Sequence, residues 1–182
     1  MKRVIVAQST LAPQALAELK EWLGITTAQE DATLAALILA ALESCEGFTG
    51  TLPIECECEE LLPVSSQWMR IESRPVHAIT AVEAIPADGP RVTLETGAYA
   101  IEFAADGAGL VRIVDPGLAT RVAVRFTAGL APDWTALPDG LRHSVVRLAA
   151  YHYRQREGDA GQAHPPAAVA ALWRPWRRLR LA

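Results

Sequence analysis

The chain has 182 residues, a formal net charge of -4 and 51% hydrophobic residues, which fits one domain, or one domain with an arm, large enough to bury a core. No apolar run reaches the ~20 residues that a bilayer needs, and the start, MKRVIVAQST, lacks the apolar region and small-residue cleavage site of a secretion signal. Cys45, Cys56 and Cys58 form an odd set, which points to reduced thiols in a cytoplasmic setting.

The elements follow in chain order. APQALAELKEWLGI predicts a short helix from about residue 13, with Leu16, Leu19 and Leu23 on one face and Gly24 at its stop. A second helix follows to about residue 48. Thr27 and Glu30 have the spacing of a capping box at its start. Leu34, Leu37, Ile38, Leu42, Cys45 and Phe48 make its apolar stripe, and Gly47 and Gly50 bracket its end. The short connection predicts an antiparallel helical hairpin.

From about residue 51 to 130 the period changes to two. Residues 68–72, 79–85 and 122–126 alternate as strands. ADGP, ETG, ADGAG and DPG separate them as turns, so an antiparallel meander or small sandwich is expected. A third helix is predicted over about 138–157, opened by Pro138 and Asp139, with Leu141, Val145, Leu148 and His152 on one face. GDAGQAHPP is a loop, and AAVAALW is a helical turn that Pro175 interrupts. The division expected is a domain over 1–164 and a C-terminal arm over 165–182.

Catalytic and metal motifs are missing. The chain has no G-x-S-x-G, P-loop, dinucleotide fingerprint or H-E-x-x-H. Cys56-Glu57-Cys58 is half a metal site, and strand alternation puts both thiols on one face, where they pack as small hydrophobes. His77, His143, His152 and His164 are scattered. Glu55, Glu57, Glu59 and Glu60 read as a solvated strand edge whose charge blocks unwanted pairing. No catalytic residue, metal ligand or cofactor site is therefore assigned, and the chain reads as a non-enzyme.

Charge is polarised. Residues 1–60 hold three bases and ten acids, a net of -7, whereas residues 141–182 hold eight arginines and two acids, a net of +6. The chain closes on LWRPWRRLRLA. Trp and Arg are the residues most enriched at interface hot spots. Leu172, Trp173, Arg174, Pro175, Trp176, Arg177, Arg178 and Arg180 are thus the candidate partner-binding residues. The competing reading is a terminal helix docked on its own domain through Leu172, Trp173 and Trp176. Other possibilities are a nucleic-acid-binding accessory protein using these arginines and a small ligand-binding β domain.

Four segments stand out in order: LAELKEWLGITTAQEDATLAALILAALESCEGFTG, ESRPVHAITAVEAI, RVAVRFTAGLAPDWTALPDGLRHSVVRLAAYHYRQRE and ALWRPWRRLRL. Together they resemble the head–tail connector (adaptor) family of long-tailed phages and gene transfer agents. The resemblance implies an α+β fold: a small helical bundle, made of the hairpin and the long third helix, with an antiparallel β insertion and a C-terminal arm. It implies a structural role in a ring, usually of twelve copies. That ring would bind the portal of a DNA-filled capsid and a tail-side stopper or terminator protein, with packaged DNA passing through its channel and no membrane involved. The implied location is the head–tail junction of a virion or phage-like particle assembled in the bacterial cytoplasm. Trp173, Arg174, Pro175, Trp176 and Arg177 match the family's terminal motif as a portal- or neighbour-contacting arm, with Trp176 where tyrosine is commoner.

Overall fold

The computed structural model describes residues 3–7, 11–155 and 165–177. The fold is mixed α+β, with four helices and antiparallel sheets among the described residues. The chain divides into two compact units, and both are discontinuous in sequence. One comprises Thr10–Ile54 with Ala131–Ala182, the other Met1–Ser9 with Glu55–Leu130.

The first unit is helical. Helix α1 spans Pro13–Leu23, opening on a proline whose missing N–H costs nothing in a first turn. Gly24 closes it at φ 72°, a left-handed conformation in which its N–H caps the carbonyls of Lys20 and Glu21. Helix α2 spans Asp31–Thr49 and ends on Gly50, also left-handed at φ 70°. Gly47 lies within this helix. Its buried face is Leu34, Ile38, Ala41, Cys45 and Thr49, one residue per turn. By length and composition α2 is apolar enough to cross a membrane, because Ala and Leu fill its outer positions too. Its buried face packs on α1 and on two later helices, α3 (Asp139–Gln155) and α4 (Ala167–Trp173). Leu141, Val145 and Leu148 of α3 are buried, as the periodicity predicts, whereas His152 is half-buried. The expected end of α3 near residue 157 lies outside the described residues.

The expected capping box does not form. Helix α2 starts at Asp31, its N-cap is Glu30, and no side chain caps it. Thr27 is exposed in the preceding loop, and residues 28–30 form a turn closed by Asp31 N on Ala28 O at 3.2 Å. Tyr153 Oη of α3 donates instead to the Glu30 carboxylate. Lys20 Nζ meets Asp31 Oδ1 at 2.6 Å and ties α1 to the start of α2. Thr27→Ala should therefore shift stability by no more than about 0.5 kcal/mol, the usual range for a surface change. A thermal melt displaced by more than a few degrees would show that the hydroxyl is capping the helix.

The second unit is built on an antiparallel sheet of five strands in the order β1-β2-β8-β4-β5. These are β1 (Arg3–Ala7), β2 (Cys56–Pro63), β8 (Ala119–Ala128), β4 (Val76–Pro86) and β5 (Val92–Thr93). A three-stranded sheet runs β3-β7-β6, from β3 (Met69–Arg70), β7 (Gly109–Ile113) and β6 (Tyr99–Phe103). The three alternating stretches of the sequence lie on β3, β4 and β8. ADGP turns the chain from β4 to β5, and ADGAG from β6 to β7. Val122, Ala123 and Val124 of central β8 are buried in succession, so both of its faces are covered there. Cys58, Ile71, Val82, Val111 and Phe126 complete this core.

Strand β1 has no counterpart among the expected elements, and it changes the reading of the glutamates. It pairs with β2, which consequently lies inside the sheet and is not an edge. Glu59 and Glu60 are buried and matched rather than solvated. Glu59 accepts from Arg91 at 2.8 Å and from Arg125 at 3.3 Å, and both arginines also face Glu83. Glu60 accepts from Glu72 N, Ser73 N and Ser73 Oγ at 2.9, 3.0 and 2.7 Å. Burying a carboxylate is tolerable only with partners of this kind.

Candidate functional site

The candidate tail begins on α4. Pro166 precedes it, Val169 and Trp173 point inward, and Arg174 ends it. Trp173 is 0% exposed. Its Nε1 donates to Ser144 Oγ at 2.6 Å, and that hydroxyl donates to Leu141 O at 2.6 Å. The Trp173 ring lies 5.5 Å from that of Phe48, tilted at 49°. This indole is a core residue of the helical unit, so it cannot lend its area to a partner while that unit is folded. The physical reason is spacing: Val169 and Trp173 stand one turn apart on α4 and face α3 together.

Pro175 continues the backbone directly from α4. It enters a 3-10 turn over Arg174–Trp176, in which Arg177 N reaches Arg174 O at 3.1 Å. A proline at the start of such a turn fits by its fixed φ and needs no N–H. Arg174, Pro175 and Arg177 are exposed, and Leu172 and Trp176 are half-buried. The Arg177 guanidinium lies 5.4 Å from the centre of the Phe48 ring, close enough for a cation–π contact. Arg178 and Arg180 lie outside the described residues. The structure therefore brings together Arg174, Trp176 and Arg177 at the surface and separates Trp173 from them.

A second surface feature had no signal in the sequence. A groove of about 690 Å³ in the helical unit is lined by Glu18, Glu21 and Trp22 of α1 and by Asp139, Arg142, His143 and Val146 of α3. Trp22 is 44% exposed and meets His143 edge-on at 5.3 Å. Arg142 reaches Asp139 at 2.8 Å and Glu18 at 3.6 Å. Glu18 also accepts from Nε1 of buried Trp134 at 3.2 Å. These residues belong to helices nearly 120 positions apart in sequence, so periodicity could not have joined them.

The thiols lie in two places. Cys56 and Cys58 share one face of β2, with Sγ atoms 3.5 Å apart, and Cys45 is in α2. All three are buried and none is in a disulfide. Among the described residues no group of three His, Cys, Asp or Glu side chains is placed to hold a metal ion. His77 Nε2 contacts Gly129 O at 2.6 Å, His143 is against Trp22, and His152 is beside Tyr151. His164 is outside the described residues. Burial pushes the Cys45 thiol up to about 12, with the Glu46 charge adding to the rise and the Thr49 contact opposing it. It stays neutral at pH 8, and only the thiolate is nucleophilic. Cys45 should therefore resist alkylation by iodoacetamide at pH 8 in the folded chain and react fully in denaturant. Mass spectrometry showing rapid labelling of Cys45 in the native chain would contradict this placement.

No protein-family model matches the chain, and no curated protein matches it in sequence. Solved structures do match it. The neck of an empty gene transfer agent particle, computed with sixfold symmetry, holds a chain of TM-score 0.78 and 26% identity, covering 100% of this chain and 98% of that one. The chain resembles a gene transfer agent neck protein. The virion of a native gene transfer agent particle holds a match of TM-score 0.76 and 27% identity, covering 100% of this chain and 98% of that one. The neck of a native particle, computed with twelvefold symmetry, gives TM-score 0.74 and 26% identity, covering 98% of this chain and 97% of the other. These likenesses run the length of the chain and agree with the head–tail connector resemblance carried by its sequence motifs.

Proposed function

We propose that this chain is a structural, non-enzymatic connector in a particle neck, acting as one copy of a ring of about twelve. The observation that carries the reading is the end-to-end likeness to chains of gene transfer agent necks, one of them computed with twelvefold symmetry. In this reading the helical unit is the connector's bundle and the second unit its β insertion. The ring joins the portal of a DNA-filled capsid to a tail-side stopper or terminator protein, and packaged DNA passes through its channel. The arm proper begins at Arg174. Arg174, Trp176, Arg177, Arg178 and Arg180 contact the portal or a neighbouring copy, while Leu172 and Trp173 hold the base of the arm.

Native mass spectrometry of the chain with and without the portal tests this reading. A closed oligomer of about twelve copies, alone or on the portal, is expected. Cryo-electron microscopy of intact particles with this chain absent from the neck would overturn it. The arm has its own test. Exposed ion pairs are weakened by salt and serve encounter and register more than folding. Arg174→Glu with Arg177→Glu should leave the melting temperature within a few degrees of wild type and reduce co-sedimentation with heads at least tenfold. Undiminished attachment would remove these arginines from the contact.

A further inference from the structure

Among the described residues, exposed large apolar side chains concentrate in the β unit. Val4, Ile5 and Val6 of β1 are 62%, 40% and 47% exposed, and Ile101 and Phe103 of β6 are 43% and 47% exposed. Both strands are edges: β1 ends the five-stranded sheet and β6 ends the three-stranded one. Each is five residues long. An apolar edge strand presents a row of backbone donors and acceptors as a template for another strand.

The hairpin register shows which groups of β6 are on offer. Ala104 N donates to Ala108 O, and Val114 N donates to Ala98 O, both within 2.9 Å. The pairs Ala100–Arg112 and Glu102–Leu110 fall between them in the same antiparallel register. Hydrogen-bonded and non-bonded pairs alternate in such a ladder. The N–H and C=O groups of Tyr99, Ile101 and Phe103 therefore point away from β7, and no described backbone group takes them. On the other edge, β1 contains no Pro or Gly, and its pairing slips only once, around Val6 between Ile5 and Ala7.

We infer that β1 of one copy adds to β6 of the next, so that the β units of neighbouring copies share a sheet. This inference rests on the ring reading above. A closed ring with more than two copies uses a heterologous contact, in which two different surfaces of one chain meet. The edges β1 and β6 are two such surfaces, equal in length and both apolar. Their charges are complementary as well. Residues 1–7 carry Lys2 and Arg3 and no acid, whereas residues 95–103 carry Glu95 and Glu102 and no base. Backbone bonds supply the attachment in strand addition, and the alternating side chains supply the selectivity. Pairing of β1 with β1 would instead satisfy a two-fold axis and stop at a dimer.

Cross-linking tests the contact in the full-length chain. Val4→Cys and Ile101→Cys are prepared singly and together, and treated with a short bismaleimide in the presence of the portal. The three native cysteines are buried. Each single variant should stay uncross-linked alone, a mixture of the two should give one covalent dimer, and the double variant should give a ladder up to the ring. A dimer from Val4→Cys alone would overturn the inference in favour of β1–β1 pairing. A ring seen by native mass spectrometry in the double variant, with no cross-link, would overturn the edge contact and leave the ring standing. Monomers alone in the wild-type sample with portal would overturn both. Ile101→Pro gives an independent reading, because it removes an outward N–H that β7 does not use. It should weaken ring formation at least tenfold with the circular dichroism of wild type. Should that variant fail to fold, Ile101→Lys carries the same expectation, and a folded Ile101→Lys chain that assembles normally overturns the inference.

Discussion

Trp173→Ala is expected to destabilise the helical unit by about 3–5 kcal/mol, the usual cost of emptying the site of a buried tryptophan. The indole is fully covered, spans α3 and α4, and rests on Phe48 of α2, so no single neighbour can move in to fill the space. Trp173→Phe keeps most of the apolar area and loses the bond to Ser144, a change of about 1 kcal/mol. Ser144 Oγ keeps its bond to Leu141 O in that variant. The order expected in urea midpoints is wild type, then Phe, then Ala. Truncation separates the contribution of Trp173 from that of the residues after it. Removing residues 178–182 should leave the midpoint unchanged, and removing 172–182 should lower it at least as far as Trp173→Ala does. Equal midpoints for wild type and Trp173→Ala would mean that the indole contributes no packing.

Glu60→Ala is the second large effect expected, at about 3 kcal/mol. The carboxylate is 4% exposed and accepts three hydrogen bonds from the segment after β3. Deleting it strands the N–H groups of Glu72 and Ser73, and a buried donor left without a partner costs about 1–3 kcal/mol. Ser73 Oγ also loses the acceptor of its O–H, and Arg3 Nη1, at 3.2 Å, cannot replace it because it only donates to that oxygen. Glu60→Gln retains one acceptor oxygen and should lose less than half as much. For a chain of this size 1 kcal/mol moves the melting temperature by about 2–4 °C. A fall of about 6–12 °C is therefore expected for Glu60→Ala by differential scanning calorimetry, and a fall under 2 °C would show that water replaces the carboxylate freely.

The features legible in the sequence are those with a local cause. Gly24 and Gly50 mark helix ends because a left-handed residue is needed there and glycine adopts it freely. Leu34, Ile38 and Cys45 of α2 and Leu141, Val145 and Leu148 of α3 mark inward faces, whereas Leu37, Leu42, Phe48 and His152 of the same expected stripes are half-buried, and the turns ADGP and ADGAG mark two hairpins. What stayed hidden depends on distant partners. RVIVA has the composition of a strand, but five residues without flanking turns carry no signal until β2 pairs with them. Glu59 and Glu60 look solvated because the arginines and backbone amides that match them lie 12 to 66 positions away. Thr27 and Glu30 had the spacing of a cap, yet Tyr153 claims the glutamate from far along the chain. Trp173 and Trp176 look alike in composition. Only the position of α4 against Ser144 and Phe48 makes the first a core residue and leaves the second half-buried at the surface. The groove beside Trp22 was illegible for the same reason, since α1 and α3 meet only in the folded chain.

The discontinuity of the two units sets an order of events during synthesis. The β unit has its last strand once Leu130 has been made. The helical unit, although its first two helices are translated early, needs α3 and then Trp173 to close its core. A ribosome that stops anywhere between those points releases a chain with a finished sheet and an open set of helices. Such a chain carries the edge strands but lacks Trp173. Requiring Trp173 before the helices can close makes synthesis through α4 a condition of stability, and chains that stop short of it are left exposed to proteolysis.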